Sequence, residues 1–293
     1  MVTLWETISA QIGQATGQPF KLDNRQAVGG GCINRGYRLQ GGDRAYFVKL
    51  NQAHRVDMFA AEAAGLEQMQ ATQTIRVPTP ICWGATDDTS YLVLEWLELG
   101  RAGGSAWAKM GEQLAAMHRS TSPSGFGWQR PNTIGSTPQI NDWRRDWAVF
   151  WAEHRLGFQL RLARRRGGHF PLGDRLLASI PDLLAGHTPT PALVHGDLWS
   201  GNAAVSQAGE PVLFDPATYY GDREVDLAMT ELFGGFPPEF YQGYQAAYPL
   251  APGYPQRKVL YNLYHILNHY NLFGGGYESQ ANGMIDQLLN KFL

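Results

Sequence analysis

Three oxygen-bearing side chains sit close together in the second half of the chain: Asp197 and Asn202 in "LVHGDLWSGN" (193–202), and Asp215 at the end of "VLFD". Asp197 and Asn202 are five positions apart, and Asp215 follows Asn202 by thirteen. In phosphoryl transfer this D-x-x-x-x-N spacing sets a carboxylate against the attacking hydroxyl while the amide oxygen reaches a metal. A second carboxylate after a strand suits Mg2+, a hard cation that takes oxygen ligands in octahedral geometry. One such residue alone reads equally well as turn chemistry. The three together predict one site, with Asp197 as base and Asn202 and Asp215 as metal ligands. His195 is expected to brace the loop by hydrogen bonding, and Gly196 to let the backbone turn.

A nucleotide is implied upstream. "VGGGCIN" places Gly29, Gly30 and Gly31 before a strand-like segment, and Lys49 lies on the next one. This order suits a glycine hairpin whose backbone N–H groups approach phosphate oxygens, with Lys49 held against the α- and β-phosphates. Glycines in a hairpin are weak evidence alone, because turns use them for steric reasons. Glu62 strengthens the reading: it shares a helical face with Phe59, Leu66 and Met69, and a carboxylate on an apolar stripe needs a partner such as Lys49. The backbone of Glu95, Trp96 and Leu97, in "VLEWLEL", is expected to meet an adenine edge. ATP with Mg2+ is thus the expected cofactor pair.

The elements that must hold these groups divide near residue 100. Residues 1–98 read as a nucleotide-binding sheet with one key helix: "AYFVKL" (45–50) and "SYLVLEWL" (90–97) are strand-like, and 54–70 is helical. Residues 99–293 read as a larger, mainly helical lobe with the motif strands set inside it. Here "AWAKMGEQLAAMH" carries an apolar stripe, and "EVDLAMTELFGG" reads as a helix stopped by Gly234. Asp142 is expected to N-cap a long helix that ends in the arginines before Gly167, and 123–138 to form a surface loop. Of Asp222 and Asp226, four apart near a helix start, one carboxylate is expected to accept backbone N–H groups of the catalytic loop; helix capping explains Asp222 equally well, and Asp226 is expected to be structural. These elements predict an α+β fold in two lobes.

Composition narrows the partners. A chain of 293 residues, 44% hydrophobic and 17% charged, is long enough and apolar enough for a sizeable core. A net charge of -2 gives no basic field for a nucleic-acid backbone, and Arg164 to Arg166 form one local cluster. No apolar run approaches membrane-spanning length, and "MVTLWETISAQIG" lacks the regions of a secretory signal, so a cytoplasmic protein with no membrane partner is expected. Two cysteines, Cys32 and Cys82, make neither a disulfide framework nor a metal site. Only six residues separate Asp215 from Asp222, which leaves no room for a phosphorylatable activation segment. Asp-Pro-Ala also stands where protein kinases have Asp-Phe-Gly. A pocket for a small molecule is expected instead.

"LVHGDLWSGN", "FDPATYYGDREVDLAM", "GGGCIN" and "LYHILNHYNLFGGGY" together resemble the fructosamine-3-kinase, or ketosamine kinase, family, within the aminoglycoside phosphotransferase and choline kinase-like superfamily. The resemblance covers essentially the whole chain. It implies a bilobal, protein-kinase-like fold and phosphorylation of the third-carbon hydroxyl of fructosamines and ribulosamines, free or protein-bound, which destabilises the adduct and repairs glycated protein. It also places Trp199 at the substrate, where an indole offers a face to a sugar and an N–H to a hydroxyl. His265, four residues before His269 on one helical face, is expected to line the same pocket. At Cys32 the resemblance implies an inter-subunit disulfide in some members, hence a monomer or a redox-sensitive homodimer. The rival readings are a kinase for another small alcohol, such as an aminoglycoside or choline, and a catalytically silent nucleotide-binding module.

Overall fold

The computed structural model describes residues 3–29, 33–101 and 103–291. The chain forms two compact units, one of Met1–Ala102 with Ala204–Asp215, the other of Gly103–Ala203 with Pro216–Leu293.

The first unit opens with α1 (Leu4–Thr16), started by a reciprocal cap between Thr3 and Glu6 and stopped at Gly17. Five antiparallel strands follow: β1 (Asn24–Val28), β2 (Arg35–Gly41), β3 (Arg44–Gln52), β4 (Pro80–Ala85) and β5 (Thr89–Glu95), ordered β1-β2-β3-β5-β4. Helix α2 (Val56–Ala71) crosses between β3 and β4 and packs on β4 and β5. Alternation along β3 decides what each face carries. Val48 and Leu50 join Ile8 and Ile12 of α1 in one core cluster, so Lys49 between them points to the opposite face. On α2, Phe59, Leu66 and Met69 are fully buried, as their helical spacing predicts. The hairpin of β9 (Ala203–Val205) and β10 (Pro211–Leu213) docks on this unit: Leu213 N–H donates to the Arg76 carbonyl at 3.0 Å, and Gly100 N–H to the Val205 carbonyl at 2.8 Å. Asp215 stands at the end of that hairpin.

In the second unit α3 (Gly104–Met117) packs on α8 (Pro238–Ala247), and α7 (Glu224–Thr230), α9 (Tyr254–Phe273) and α10 (Tyr277–Lys291) stack in turn. A buried pair, Arg257 Nε to Glu224 Oε2 at 2.6 Å, ties α9 to α7. The ribbon β8 (Ala192–Val194) with β11 (Tyr219–Gly221) brackets the His-Gly-Asp loop, and α6 (Gly173–Leu183) precedes it. No helix among the described residues is long and apolar enough to cross a membrane.

Two expectations are corrected here. The helix predicted from Asp142 begins at Trp147, and Asp146 is its cap, its side chain accepting from Val149 N–H at 2.9 Å. The helix runs as α4 (Trp147–Phe150), a wide π turn (Trp151–Leu156) and α5 (Gly157–Arg165). Residues 123–138 are not a surface loop either. Phe126, Trp128 and Ile134 are buried, and β6 (Asn132–Ile134) pairs with β7 (Thr137–Gln139). Glycine, proline and asparagine in that stretch serve a packed hairpin, a use that composition does not separate from solvent exposure.

Candidate active site

Lys49 is 4% exposed in the first unit. Its Nζ lies 2.5 Å from Glu62 Oε1 and 2.5 Å from Asp215 Oδ1. Burial alone would discharge an amine, but the Asp215 and Glu62 carboxylates outweigh it and hold the ammonium above its ordinary range. A permanent cation therefore stands between two acids. Asp215 adopts φ 58°, in the left-handed region a side chain rarely enters, and its side chain is 48% exposed. So it engages Lys49 with one oxygen while remaining open to solvent.

The other nucleotide candidates are less constrained. Gly29 is exposed just after β1, while Gly30, Gly31 and Cys32 lie outside the described residues. The Glu95 carboxylate pairs with Arg76 and accepts from Thr79 N–H at 3.1 Å, and Glu95 N–H donates to the Thr79 carbonyl at 2.8 Å. Trp96 lies under the Arg38 guanidinium at 4.9 Å and donates from its indole N–H to Glu98 at 2.7 Å. Leu97 is half-buried. Cys82 is a free thiol that burial pushes up to about 11.

In the second unit Asp226 pins the His-Gly-Asp loop. Its Oδ2 accepts from His195 N–H at 2.7 Å, and its Oδ1 from Gly196 N–H at 2.8 Å. His118 Nε2 is 2.9 Å from the same Oδ2, and His118 Nδ1 is 2.8 Å from the Tyr244 hydroxyl. Arg223 in turn donates to that hydroxyl at 2.9 Å. Burial would raise the Asp226 carboxyl, but the bond and charge of His118 and the Gly196 N–H hold it below its usual range. Sequence reasoning missed His118. Its only local signal is a polar residue closing the apolar stripe of α3.

Within the loop, Asp197 N–H donates to His195 Nδ1 at 3.2 Å, a bracing geometry for a fully buried imidazole. Gly196 has φ 82°, and a Cβ there would lie 2.2 Å from the Ala217 carbonyl oxygen, so only glycine fits. Asn202 Nδ2 donates to the Asp197 carbonyl at 2.8 Å, which leaves the side-chain oxygen of Asn202 directed elsewhere as a donor atom for a cation. Trp199 is 38% exposed, and its indole lies across Gly201, where a Cβ would come within 2.3 Å of the ring. The loop thus presents a carboxylate, an amide oxygen and an open aromatic face within six residues.

On α9, His265 is buried at 3% exposure, and desolvation with the nearby His269 drives its imidazole down to about 3. It is a neutral ring against Tyr264, at 5.2 Å between centroids. His269, one turn on, is half-exposed among Phe233, Phe273 and Tyr277.

Comparison with known proteins decides the family. The fructosamine kinase family model matches residues 4–291. The chain belongs to the fructosamine kinase family. Among the family relatives, a probable ketoamine kinase from Synechocystis sp. is 62% identical over 285 residues, covering 97% of both chains. The chloroplastic protein-ribulosamine 3-kinase of Oryza sativa subsp. japonica is 44% identical, covering 99% of this chain and 85% of its own. A crystal structure of a provisionally named fructosamine-3-kinase from Haemophilus somnus 129PT superposes with a TM-score of 0.92 at 32% identity, covering 98% of each chain. A thermostable mutant of an aminoglycoside phosphotransferase, at 16% identity and a TM-score of 0.62, shares the fold of this fructosamine kinase family member. That likeness places the chain in a protein-kinase-like architecture.

Proposed function

We propose that this protein phosphorylates the third-carbon hydroxyl of ketosamines, fructosamines or ribulosamines, with Mg-ATP as phosphoryl donor. The observation that carries the reading is the loop itself: a carboxylate at Asp197, pinned from below by Asp226, two residues from the exposed indole of Trp199. Relatives named ketoamine kinase and protein-ribulosamine 3-kinase support the acceptor class.

The residues fit the implied groups. Asn202 and Asp215, each an oxygen donor, are the ligands we assign to Mg2+, and the half-exposed Asp215 carboxylate and the Asn202 amide oxygen have the hard chemistry that ion requires. Bound Mg-ATP supplies the transferable phosphoryl group, with the metal offsetting charge on its oxygens. Lys49, kept cationic by Glu62 and Asp215, binds phosphate oxygens. Gly29 to Gly31 are assigned to the phosphates and the backbone of Glu95 to Leu97 to the adenine. Asp197 orients the acceptor hydroxyl and takes its proton, while Trp199 covers the apolar face of the sugar. His195 braces the loop, and His265 is assigned to the lining of the substrate pocket. A phosphorylated ketosamine breaks down more readily, which makes this a step in protein deglycation.

Mass spectrometry of ribulose-lysine and fructose-lysine after incubation with the protein and Mg-ATP tests the reading. A gain of one phosphoryl group on either compound is expected. Turnover only on an aminoglycoside or choline in a parallel panel, or Mg-ATP binding with no turnover on any acceptor, overturns it.

A further inference from the structure

Arg155, on the π turn between α4 and α5, is fully buried in the second unit. Its guanidinium lies 4.0 Å from the Tyr219 ring centre and 4.5 Å from that of Phe150. The hydrogen-bond partners it has are neutral: the Ile140 carbonyl at 2.7 Å, the His154 carbonyl at 3.3 Å, Asn141 Oδ1 at 2.8 Å and the Tyr219 hydroxyl. Among the described residues its Nε–H has no hydrogen-bond partner. A buried cation without a carboxylate is an inefficient way to fill a core, because an apolar side chain of similar length would avoid the desolvation. Stability alone does not account for it.

The bonds lead toward the catalytic loop. Asn141, oriented by Arg155, donates to Asn132 Oδ1 at 2.8 Å, and Gln139 Nε2 donates to the same oxygen at 2.8 Å. Asn132 then donates to the Thr218 carbonyl at 2.8 Å and Gln139 to the Ala217 carbonyl at 3.0 Å. The Tyr264 hydroxyl closes the chain on Gln139 Oε1 at 2.7 Å. Every amide has its orientation set by a neighbour, so the network has one arrangement. Its outputs, the 217 and 218 carbonyls, belong to the segment whose Ala217 N–H donates to the His195 carbonyl at 2.9 Å and whose oxygen abuts Gly196.

We infer that Arg155 is a positioning residue for phosphoryl transfer: through Asn141, Asn132 and Gln139 it fixes the backbone at 217–218, and that backbone fixes the loop bearing Asp197. The inference rests on the transferase reading above. A displacement of about 1 Å at a reacting group lowers a rate by about a hundredfold, so small freedom in this segment is felt in turnover.

The test compares Arg155→Met, which keeps an apolar stem in the aromatic cage, with Arg155→Lys, which retains the charge and one or two donors. Steady-state kinetics with Mg-ATP and a ketosamine are read beside melting temperature and amide hydrogen exchange. For Arg155→Met we expect kcat lowered about ten- to a hundredfold. Its KM for Mg-ATP should stay within about twofold and its melting temperature within about 5 °C of the parent. Faster exchange should be confined to 193–197 and 216–221, and Arg155→Lys should recover part of kcat. Unchanged kcat, or exchange that rises evenly over the whole unit, overturns the inference. If Arg155→Met does not fold, Gln139→Met, which removes the donor to Ala217 and leaves Arg155 in place, carries the same expectation and the same refutation. A parent protein without transferase activity rejects the function instead, and the exchange measurement still decides whether Arg155 holds the segment.

Discussion

The backbone N–H of Gly196 donates to Oδ1 of Asp226 across 2.8 Å, from 30 residues away in the chain. Together with the His195 N–H on the other oxygen, this makes one buried carboxylate the seat of the His-Gly-Asp loop. Asp226→Asn replaces one carboxylate oxygen by an NH2 group, which then faces either the Gly196 N–H or the His195 N–H and His118. We expect a loss of about 3–5 kcal/mol in unfolding free energy, measured by denaturant titration, and a collapse of turnover. The pH dependence has a definite sign. The folded carboxyl is held below its usual range, so its stabilisation is complete above the unfolded value near 4 and is lost as pH falls through the lower folded value. The parent should lose stability more steeply below about pH 4 than Asp226→Asn does.

Lys49 stays charged because Glu62 and Asp215 flank it. A lysine raised in the fold keeps its contribution below the unfolded value near 10.4 and loses it only as pH rises through the higher folded value. Turnover should therefore show no alkaline limb from Lys49 up to about pH 10. Lys49→Met should lower kcat/KM for Mg-ATP by about a hundredfold or more, with the ketosamine KM little changed. A variant that binds and turns over Mg-ATP like the parent would remove Lys49 from the phosphate site.

Asp197→Asn separates binding from chemistry. The amide keeps the size and one acceptor oxygen of the carboxylate, so Mg-ATP affinity by calorimetry should stay within about threefold. Transfer should fall by about 10²- to 10⁴-fold, the usual worth of a general base. Near-parental turnover would refute the assignment.

How far these assignments could be read from the chain depends on the range of the interaction. Lys49 and Glu62 were legible because strand alternation and a helical stripe are local patterns, and a carboxylate on the stripe demanded a partner. The assignment proposed for Asp197, Asn202 and Asp215 comes from their spacing along the chain. His118 was not legible, since its partner Asp226 is 108 residues away and nothing local marks a histidine as the third partner of a buried acid. The same holds for Asn132, Gln139 and Asn141. Side chains typical of solvated turns satisfy one another in the interior, and only the fold shows that water is replaced by amides. The shift of the helix start from Asp142 to Asp146 reflects two aspartates of equal capping ability, between which the packing of Trp147 on Phe126 and Tyr261 chooses.

Trp199 and Gly201 make a matched pair of tests for the acceptor site. The indole is held across Gly201, so a methyl group there would meet ring atoms at 2.3 Å and force the ring aside. Trp199→Ala removes the aromatic face, worth about 0.5–1.5 kcal/mol beyond area burial, and should raise the ketosamine KM by roughly 2- to 12-fold while the KM for Mg-ATP holds. Gly201→Ala keeps the indole and displaces it, so it should raise the same KM without removing any group that contacts the sugar. If Gly201→Ala behaves like the parent while Trp199→Ala does not, the ring works from another orientation. If neither moves the ketosamine KM, the sugar lies elsewhere, and the exposed indole serves some other surface of the protein.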